Sequence, residues 1–274
     1  MRRVAKAAGV VGALYLGLCA LMFLVQDRLL FFPTELPDAE HVRLLGAEGV
    51  QALEVDVPGA RLRGYVAAGR GSGARPTLIY FGGNAQPVWP QVEAKRWLRA
   101  RGMNVVVVAY RGYDRSSGEL SGAALQSDAL AVFDAVAARP EVDPARIYAW
   151  GLSLGTGAAT QLACRRPLAG AILMAPYTSL AGVAAERYPW LPVRTLFRHE
   201  VDSLACASEA RAPALLFHGT RDRLIAPEHG RTLARSWGAE ARFVPLDGAG
   251  HNDLSRHPDV RPAVERFLGF APGP

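Results

Sequence analysis

The first strong pattern along the chain is an apolar run near its start. No charged residue occurs from Ala7 to Val25. As a helix this run would be about 28 Å long, close to the roughly 30 Å thickness of the bilayer core. Because Arg2, Arg3 and Lys6 precede it, we expect a membrane-spanning helix whose N-terminus is cytoplasmic. The rest of the chain should then lie outside the cytoplasm, most simply in the periplasm.

Three other interpretations of this run are open. Small residues at 17–20 resemble a signal-peptide processing point, but the apolar run continues beyond them to Val25, which favours an uncleaved anchor. A lipoprotein cysteine at Cys19 is disfavoured by the bulky Leu18 before it. A helix buried in a globular core would show the same composition. We therefore divide the chain into an anchor, residues 1–28, and a globular domain, residues 29–274.

Beyond the anchor, short apolar segments alternate with segments of helical spacing. Two alternating stretches, 52–57 and 62–67, predict an antiparallel pair of strands. Six continuous apolar runs, flanked by Gly or Pro, predict strands buried on both faces of a parallel sheet: 77–81, 105–110, 147–150, 171–174, 214–217 and 243–246. Helical spacing occupies 89–100, 123–137, 154–163, 230–237 and 260–268. This order predicts an α/β fold with a mostly parallel central sheet and helices on both faces.

One segment breaks the alternation. Residues 187–198 are rich in proline and arginine and lie between the strands predicted at 171–174 and 214–217. We expect a small excursion above the sheet edge, too short to form a large lid. This stretch is called the 187–198 excursion below.

Composition excludes some classes of function. The net charge of +6 comes almost entirely from arginines scattered along the chain, which argues against a nucleic-acid site. No Cys or His spacing suggests a metal site, and no cofactor is expected. Cys164 and Cys206 could pair in an oxidising compartment, but two unpaired, mostly buried thiols are the favoured interpretation.

The sequence Gly-Leu-Ser-Leu-Gly at 151–155 is the motif that indicates a catalytic residue. In this GxSxG pattern the glycines permit a strained turn between a strand and a helix, which presents the serine hydroxyl above the sheet. An apolar run precedes the motif and an Ala-rich helical segment follows it, as this geometry requires. Ser153 is therefore the predicted nucleophile.

A serine hydroxyl needs a neighbouring base, and the base needs a carboxylate to fix its tautomer. His251 follows a predicted strand through the flexible Gly-Ala-Gly at 248–250, so we assign it as the base. Asp222 follows the strand at 214–217 and gives the chain order serine, acid, histidine, whereas Asp247 lies too near His251 for an easy approach. His218 is assigned to a local turn. The other histidines are expected at the surface: His41, His199, His229 and His257.

An oxyanion forms during acyl transfer and needs hydrogen-bond donors. One should be the backbone N–H of Leu154, directly after the serine. The second should come from the loop of residues 82–85, Gly-Gly-Asn-Ala, which follows an early strand.

Several blocks of this sequence resemble the α/β-hydrolase superfamily, and within it the small, membrane-anchored, lid-poor members described as α/β-hydrolase domain proteins or serine aminopeptidase-like. Besides GLSLG, they are YFGGNA (80–85), AYRGYDRSSG (109–118), APYTSL (175–180), YPWLPV (188–193), LFHGTRDRLIAP (216–227) and GAGHND (248–253). The similarity runs from about Gln26 to the C-terminus. It implies the α/β-hydrolase fold with a minimal lid, and the N–H of Asn84 as the second oxyanion donor.

The chain departs from this family pattern at two positions. The oxyanion loop of the family usually reads His-Gly-Asn, but Gly82 stands at the histidine position, so other residues must support the loop. Asp114 stands where a glycine is common.

The leading hypothesis is a serine hydrolase that forms an acyl-enzyme on Ser153 and cleaves esters or thioesters of lipid-like or small acyl groups. A peptidase activity rests only on the name of the similar group, because the sequence identifies no acidic pair that would bind a substrate amine. A non-catalytic anchored binding module would have no need of the three residues together. Haloalkane dehalogenase chemistry is disfavoured because it uses a carboxylate at the nucleophile position.

Overall fold

The N-terminal apolar run forms one long helix. In the computed structural model, which describes residues 2–271, helix α1 covers Arg2–Leu30 and extends beyond the predicted anchor at its C-terminal end. Its apolar window has a mean hydropathy of 2.3, and only 6% of that window is buried. The interpretation as a buried core helix is therefore wrong. The length and composition of α1 fit a membrane anchor, and they fit a signal sequence equally.

Eight strands form one sheet in the order β1-β2-β4-β3-β5-β6-β7-β8, where β1 and β2 are antiparallel to their neighbours and the others are parallel. The strands are β1 Val50–Val57, β2 Ala60–Ala67, β3 Arg75–Phe81, β4 Asn104–Val108, β5 Val142–Leu152, β6 Gly170–Met174, β7 Ala214–Gly219 and β8 Ala241–Leu246. Every residue of β4 and β6 is buried, whereas β1 at the sheet edge alternates between buried and exposed positions.

The helices pack on the two faces of this sheet. They are α2 Asp38–Leu45, α3 Pro90–Ala94, α4 Arg96–Ala100, α5 Gly122–Ala137, α6 Leu154–Arg165, α7 Leu180–Arg187, α8 Val193–Leu196, α9 Ser203–Ala207, α10 Pro227–Arg235 and α11 Val260–Phe267. Helix α6 contacts both α5 and α9, and α4 meets α11 through Arg261 stacked on Trp97. The predicted fold, a mostly parallel sheet covered by helices, is confirmed.

The sheet reverses its winding direction between β3 and β5, which are adjacent although β4 lies between them in the sequence. In open α/β sheets, ligands bind beyond the carboxyl ends of the strands at such a switch point. The 82–85 loop follows β3, and Ser153 follows β5. The fold therefore brings the two predicted parts of the site to the same place.

The end of α1 is attached to the 187–198 excursion and the residues after it. The Gln26 side chain donates to the Leu196 carbonyl at 3.2 Å and accepts from the Arg198 N–H at 2.9 Å. The Asp27 carboxylate pairs with the Arg198 guanidinium at 2.9 Å and with the His199 imidazole. His199 is buried, so its expected surface position is wrong.

Two further predictions are corrected by the structure. Cys164 and Cys206 are joined in a disulfide between α6 and α9, because these helices bring their Cα atoms to 5.9 Å. Closing a loop of 42 residues stabilises the fold by about 4 kcal/mol in the chain-entropy description. His229 is buried as well, between the Thr178 hydroxyl at 2.8 Å and the Glu186 carboxylate at 3.2 Å.

Smaller differences concern element boundaries. The single helix predicted over 89–100 is two short helices, α3 and α4, broken at Lys95. Strand β5 is longer than predicted, and α2 was not predicted at all.

Candidate active site

Ser153 lies on a sharp turn between β5 and α6. Its backbone has φ 48° and ψ −114°, a conformation that residues with side chains rarely adopt, and its N–H donates to the Met174 carbonyl at 2.8 Å. Strained backbone of this kind concentrates at functional sites. The turn leaves the hydroxyl partly exposed above the carboxyl end of the sheet.

The two glycines of the motif are required by close backbone packing. A Cβ atom on Gly151 would lie 2.4 Å from the Gly155 carbonyl oxygen, and one on Gly155 would lie 2.2 Å from the Phe81 carbonyl oxygen. Any side chain at either position would force the strand and helix apart. The GxSxG spacing thus allows β5, the turn and the end of β3 to meet.

Ser153, His251 and Asp222 form one hydrogen-bonded row. The Ser153 Oγ is 3.0 Å from His251 Nε2, and His251 Nδ1 is 2.7 Å from Asp222 Oδ2. The Asp222 side chain is fully buried, and the imidazole is 12% exposed. The three residues come from the ends of β5, β7 and β8, so the parallel sheet brings together groups that are 98 residues apart in sequence.

The Asp222 carboxylate is fixed by several donors. Its Oδ1 accepts the backbone N–H groups of Leu224 at 2.9 Å and Ile225 at 3.0 Å. His218 Nε2 lies 3.4 Å from Oδ2 and 3.0 Å from the Ile225 carbonyl oxygen. Burial alone would raise the pKa of Asp222, but hydrogen bonds from His218, His251 and the Ile225 N–H hold it well below its usual range. The group is therefore a carboxylate at neutral pH.

The rival acid, Asp247, forms no hydrogen bond or ion pair with His251 within residues 2–271. It is exposed and accepts a hydrogen bond from the Thr220 hydroxyl at 3.2 Å. His218 does serve its local turn, as expected, through the Ile225 carbonyl. Its additional proximity to Asp222 was not predicted, although the four-residue spacing between them within the same loop is a visible signal.

The two predicted oxyanion donors lie on adjacent segments. Leu154 is the first residue of α6, where backbone N–H groups have no partner within the helix. The 82–85 loop packs against the turn, since a Cβ atom on Gly155 would lie 2.7 Å from the Gly82 carbonyl oxygen and one on Gly83 would lie 3.7 Å from Leu152.

The Asn84 side chain ties the 82–85 loop to the end of the anchor helix. Its amide nitrogen donates to the Leu30 carbonyl at 2.6 Å. Its amide oxygen accepts from the Phe32 N–H at 3.0 Å and from the Tyr113 hydroxyl at 2.7 Å. The next residue, Ala85, has φ 56° and is the bend of the loop. The position of Asn84 thus depends on the segment that leaves α1.

Other side chains support the loop where Gly82 replaces the family histidine. The Gln86 side-chain amide oxygen accepts from the Gly83 N–H at 3.0 Å and from the Tyr80 hydroxyl at 2.9 Å. The Tyr110 hydroxyl donates to the Gly82 carbonyl at 2.6 Å. The departure at Gly82 is therefore compensated within the same loop and its neighbour.

Asp114, the second departure, adopts φ 48°, the conformation that explains why glycine is common at this position. Its carboxylate accepts from the Thr34 hydroxyl at 2.8 Å and from the Val88 N–H at 3.2 Å. It connects the segment after α1 to the segment after the 82–85 loop. Burial raises the pKa of Asp114 above its usual value.

A buried lysine lies behind the loop. The Lys95 ammonium is 3.7 Å from the centroid of the Tyr80 ring and 4.9 Å from that of Trp150, and it donates to the Gln91 side chain at 2.9 Å. Burial lowers the pKa of Lys95 to about 7. No pattern in the sequence distinguished this residue, because Lys95 occurs in a segment of ordinary amphipathic helix composition.

Comparison with known proteins shows which family this chain belongs to. The family model described as the prolyl oligopeptidase family matches residues 91–270. An uncharacterised protein of Mycobacterium tuberculosis (strain CDC 1551 / Oshkosh) is 32% identical over 270 residues, which cover 97% of this chain and 95% of that protein. Alpha/beta hydrolase domain-containing protein 17C of Xenopus laevis is 30% identical over 72% of this chain and 62% of its own length. Among solved structures, acetyl xylan esterase 1 from Thermoanaerobacterium sp. JW/SL YS485 superposes with a TM-score of 0.67 and 18% identity, over 86% of this chain and 94% of that one.

Proposed function

Because this chain belongs to the prolyl oligopeptidase family and has the α/β-hydrolase fold, we propose that it is a membrane-anchored serine hydrolase that cleaves carboxylic ester or thioester bonds of lipid-like or small acyl substrates. The observation that carries this proposal is the continuous hydrogen-bonded row from Asp222 through His251 to Ser153 on a strained turn. Residues 29–274 would be the catalytic domain.

In the proposed first step, Ser153 Oγ attacks the acyl carbonyl carbon while His251 Nε2 takes the hydroxyl proton. A bond forms between Oγ and the carbonyl carbon, and the carbonyl π electrons move to its oxygen. When the tetrahedral intermediate collapses, the bond to the alkoxy oxygen or thiol sulfur breaks, and His251 gives that leaving group its proton. Asp222, held as a carboxylate, keeps Nδ1 protonated and stabilises the imidazolium that forms in between.

Water then hydrolyses the acyl-enzyme by the reverse sequence. His251 takes a proton from water, the resulting hydroxide adds to the carbonyl carbon, and the acid leaves as Ser153 recovers its proton. In both steps the developing oxyanion is bound by the backbone N–H groups of Leu154 and Asn84. The hydrogen bonds from Asn84 to Leu30, Phe32 and Tyr113 would hold the second donor in place.

A peptidase activity is the second candidate, and one structural feature favours it. Glu186 and Asp202 line the same polar cleft, beside His229 and Arg194. Two carboxylates in one cleft could bind a substrate amine, a role for which the sequence identified no acidic pair. Both carboxylates are already engaged, however, Glu186 with His229 and Asp202 with the first turn of α9.

We further propose that the N-terminus is cytoplasmic and that the catalytic domain lies outside the cytoplasm, probing substrates at the membrane surface. Arg2, Arg3 and Lys6 before the apolar run support this orientation. The disulfide between Cys164 and Cys206 gives independent support, since such bonds persist in oxidising compartments.

The experiment that tests the class is labelling of the full-length protein with a fluorophosphonate probe, with Ser153→Ala as the control. Labelling that depends on Ser153 supports the acyl-enzyme mechanism, and its absence supports a non-catalytic binding module. Hydrolysis of p-nitrophenyl esters beside aminoacyl p-nitroanilides then separates an esterase from a peptidase. A peptidase would cleave the anilides and lose that activity in Glu186→Gln.

A further inference from the structure

An apolar cleft separates the C-terminal half of α1 from the 187–198 excursion. Its volume is about 100 Å³. Among the residues that line it, only Gln26 and Tyr188 carry a polar side-chain group. Its apolar walls include Met22, Phe23 and Leu30 of α1, and Tyr188, Leu191 and Phe197 of the excursion. Burying a hydrated headgroup among such walls would be unfavourable, whereas an alkyl chain would lose water-exposed area there.

The cleft lies beside the apolar part of α1. The Tyr15 hydroxyl donates to the Trp190 carbonyl at 2.9 Å, and Tyr15 is ten residues before Val25, or about 15 Å along the helix. The tip of the excursion therefore runs beside the part of α1 that is apolar enough to cross a bilayer. Tyr188 and Trp190 are 39% and 52% exposed there.

One wall of the cleft is hydrogen-bonded to the proposed oxyanion loop. Leu30 lines the cleft, and its carbonyl accepts the hydrogen bond from the Asn84 side chain at 2.6 Å. The loop that contains Asn84 packs in turn against Leu152 and Gly155, on either side of the serine turn. One hydrogen bond and close backbone packing thus connect a wall of the cleft to the segment beside Ser153.

We propose that this cleft is the acyl-chain site, and that it takes the fatty-acyl chain of a membrane lipid ester from the bilayer without the chain passing through water. The inference rests on the proposed ester hydrolysis and adds its substrate class. The excursion and α1 would hold the chain between them, while the ester carbonyl is presented to Ser153 at the edge of the bilayer. Attachment of α1 to the excursion through Gln26 and Asp27 would keep the two walls together.

A pair of neighbouring alanines allows a matched test. Ala184 lines the apolar cleft, whereas Ala185, the next residue of α7, lines the polar cleft beside Glu186. Both are partly buried. Ala184→Trp should fill the acyl site, and Ala185→Trp introduces the same bulk outside it.

The assay measures kcat/KM of the full-length protein in detergent micelles for p-nitrophenyl palmitate and p-nitrophenyl butyrate. Each buried methylene contributes about fourfold to binding, so displacing two or more should lower kcat/KM for palmitate by at least about tenfold in Ala184→Trp. In Ala184→Trp the kcat/KM for butyrate should stay within about twofold, because the change removes no contact of the short chain. Ala185→Trp should leave kcat/KM unchanged for both esters, because its added bulk lies outside the cleft.

An unchanged palmitate-to-butyrate ratio in Ala184→Trp, with fluorophosphonate labelling retained, would overturn the inference while leaving ester hydrolysis intact. Should Ala184→Trp lose labelling because it does not fold, Leu191→Ser, which makes the cleft wall polar, decides on the same ratio: a fall supports the acyl site and no change overturns it. If the wild type hydrolyses neither ester, the proposed function fails, and the acyl site fails with it.

Discussion

Replacing Asp222 with Asn is the sharpest test of the proposed mechanism, because the structure fixes how the amide must lie. Oδ1 of Asp222 accepts two backbone N–H groups, from Leu224 and Ile225. An asparagine must therefore place its carbonyl oxygen there and turn its NH₂ toward His251. Nδ1 of His251 then has to accept a hydrogen bond, so the ring proton moves to Nε2, 3.0 Å from Ser153 Oγ. In that tautomer the imidazole cannot take the serine proton.

The expected loss follows from this change of tautomer. An Asp→Asn change in a serine protease triad lowers kcat by about 10⁴, which corresponds to about 5.4 kcal/mol of activation free energy. Since the two backbone hydrogen bonds are kept, we expect Asp222→Asn to fold and KM to remain near that of the wild type. The assay is steady-state hydrolysis of p-nitrophenyl butyrate, with circular dichroism to check the fold.

Asp247→Asn is the matched control, because Asp247 is exposed and its carboxylate is bonded only to the Thr220 hydroxyl among the described side chains. It should keep kcat within about twofold, as surface substitutions usually have small effects. The reasoning would be refuted if Asp247→Asn were the damaging change, or if Asp222→Asn kept more than about a hundredth of the wild-type kcat, far above the loss expected from a wrong tautomer.

Four further predictions follow from other parts of the structure. Ser153→Ala should lose ester turnover and fluorophosphonate labelling with little change in Tm, because the hydroxyl is partly exposed; residual turnover equal to that of the wild type would contradict the nucleophile assignment. Asn84→Ala should lower kcat by about 10²-fold with KM nearly unchanged, since it removes the side-chain hydrogen bonds to Leu30, Phe32 and Tyr113 that hold the backbone N–H donor in place; an effect on KM alone would contradict this role. Lys95 has its pKa lowered to about 7, so the unfolded chain binds more protons between pH 7 and about 10 and stability should rise over that range, by about 2 kcal/mol from pH 7 to 9; Lys95→Met should abolish this rise in Tm, and an equal rise in both proteins would count against it. Alkaline phosphatase fused after Pro274 should be active and green fluorescent protein dark; the reverse would place the catalytic domain in the cytoplasm.

The sequence predicts the sheet and the three central site residues because each leaves a local signal. Fully buried strands such as β4 and β6 appear in the sequence as continuous apolar runs. The glycines around Ser153 occur where two backbone segments lie too close together for any side chain to fit. Asp222 and His251 could be placed because parallel strands end at the same edge of the sheet. Their catalytic roles remain a prediction until they are measured.

What the sequence did not predict depends on contacts between distant segments. His199 lies in a polar stretch and is nevertheless buried, because α1 brings Asp27 to it from 172 residues away. The disulfide depends on the angle at which α6 meets α9, which spacing along the chain does not determine. The same is true of Asn84: its motif suggested a backbone donor, but its side-chain partners come from the segment after the anchor.

The disulfide also has a consequence for how the protein is made. Cys206 emerges from the ribosome 42 residues after Cys164, which takes about 2–8 s at about 5–20 residues per second. Asp222 and His251 are synthesised later still, so the cross-link can close while the nascent chain has neither the acid nor the base. The third cysteine, Cys19, is held within α1. An oxidase that meets the emerging domain therefore finds two thiols and a single way to pair them, and biogenesis of this hydrolase should proceed without help from a disulfide isomerase.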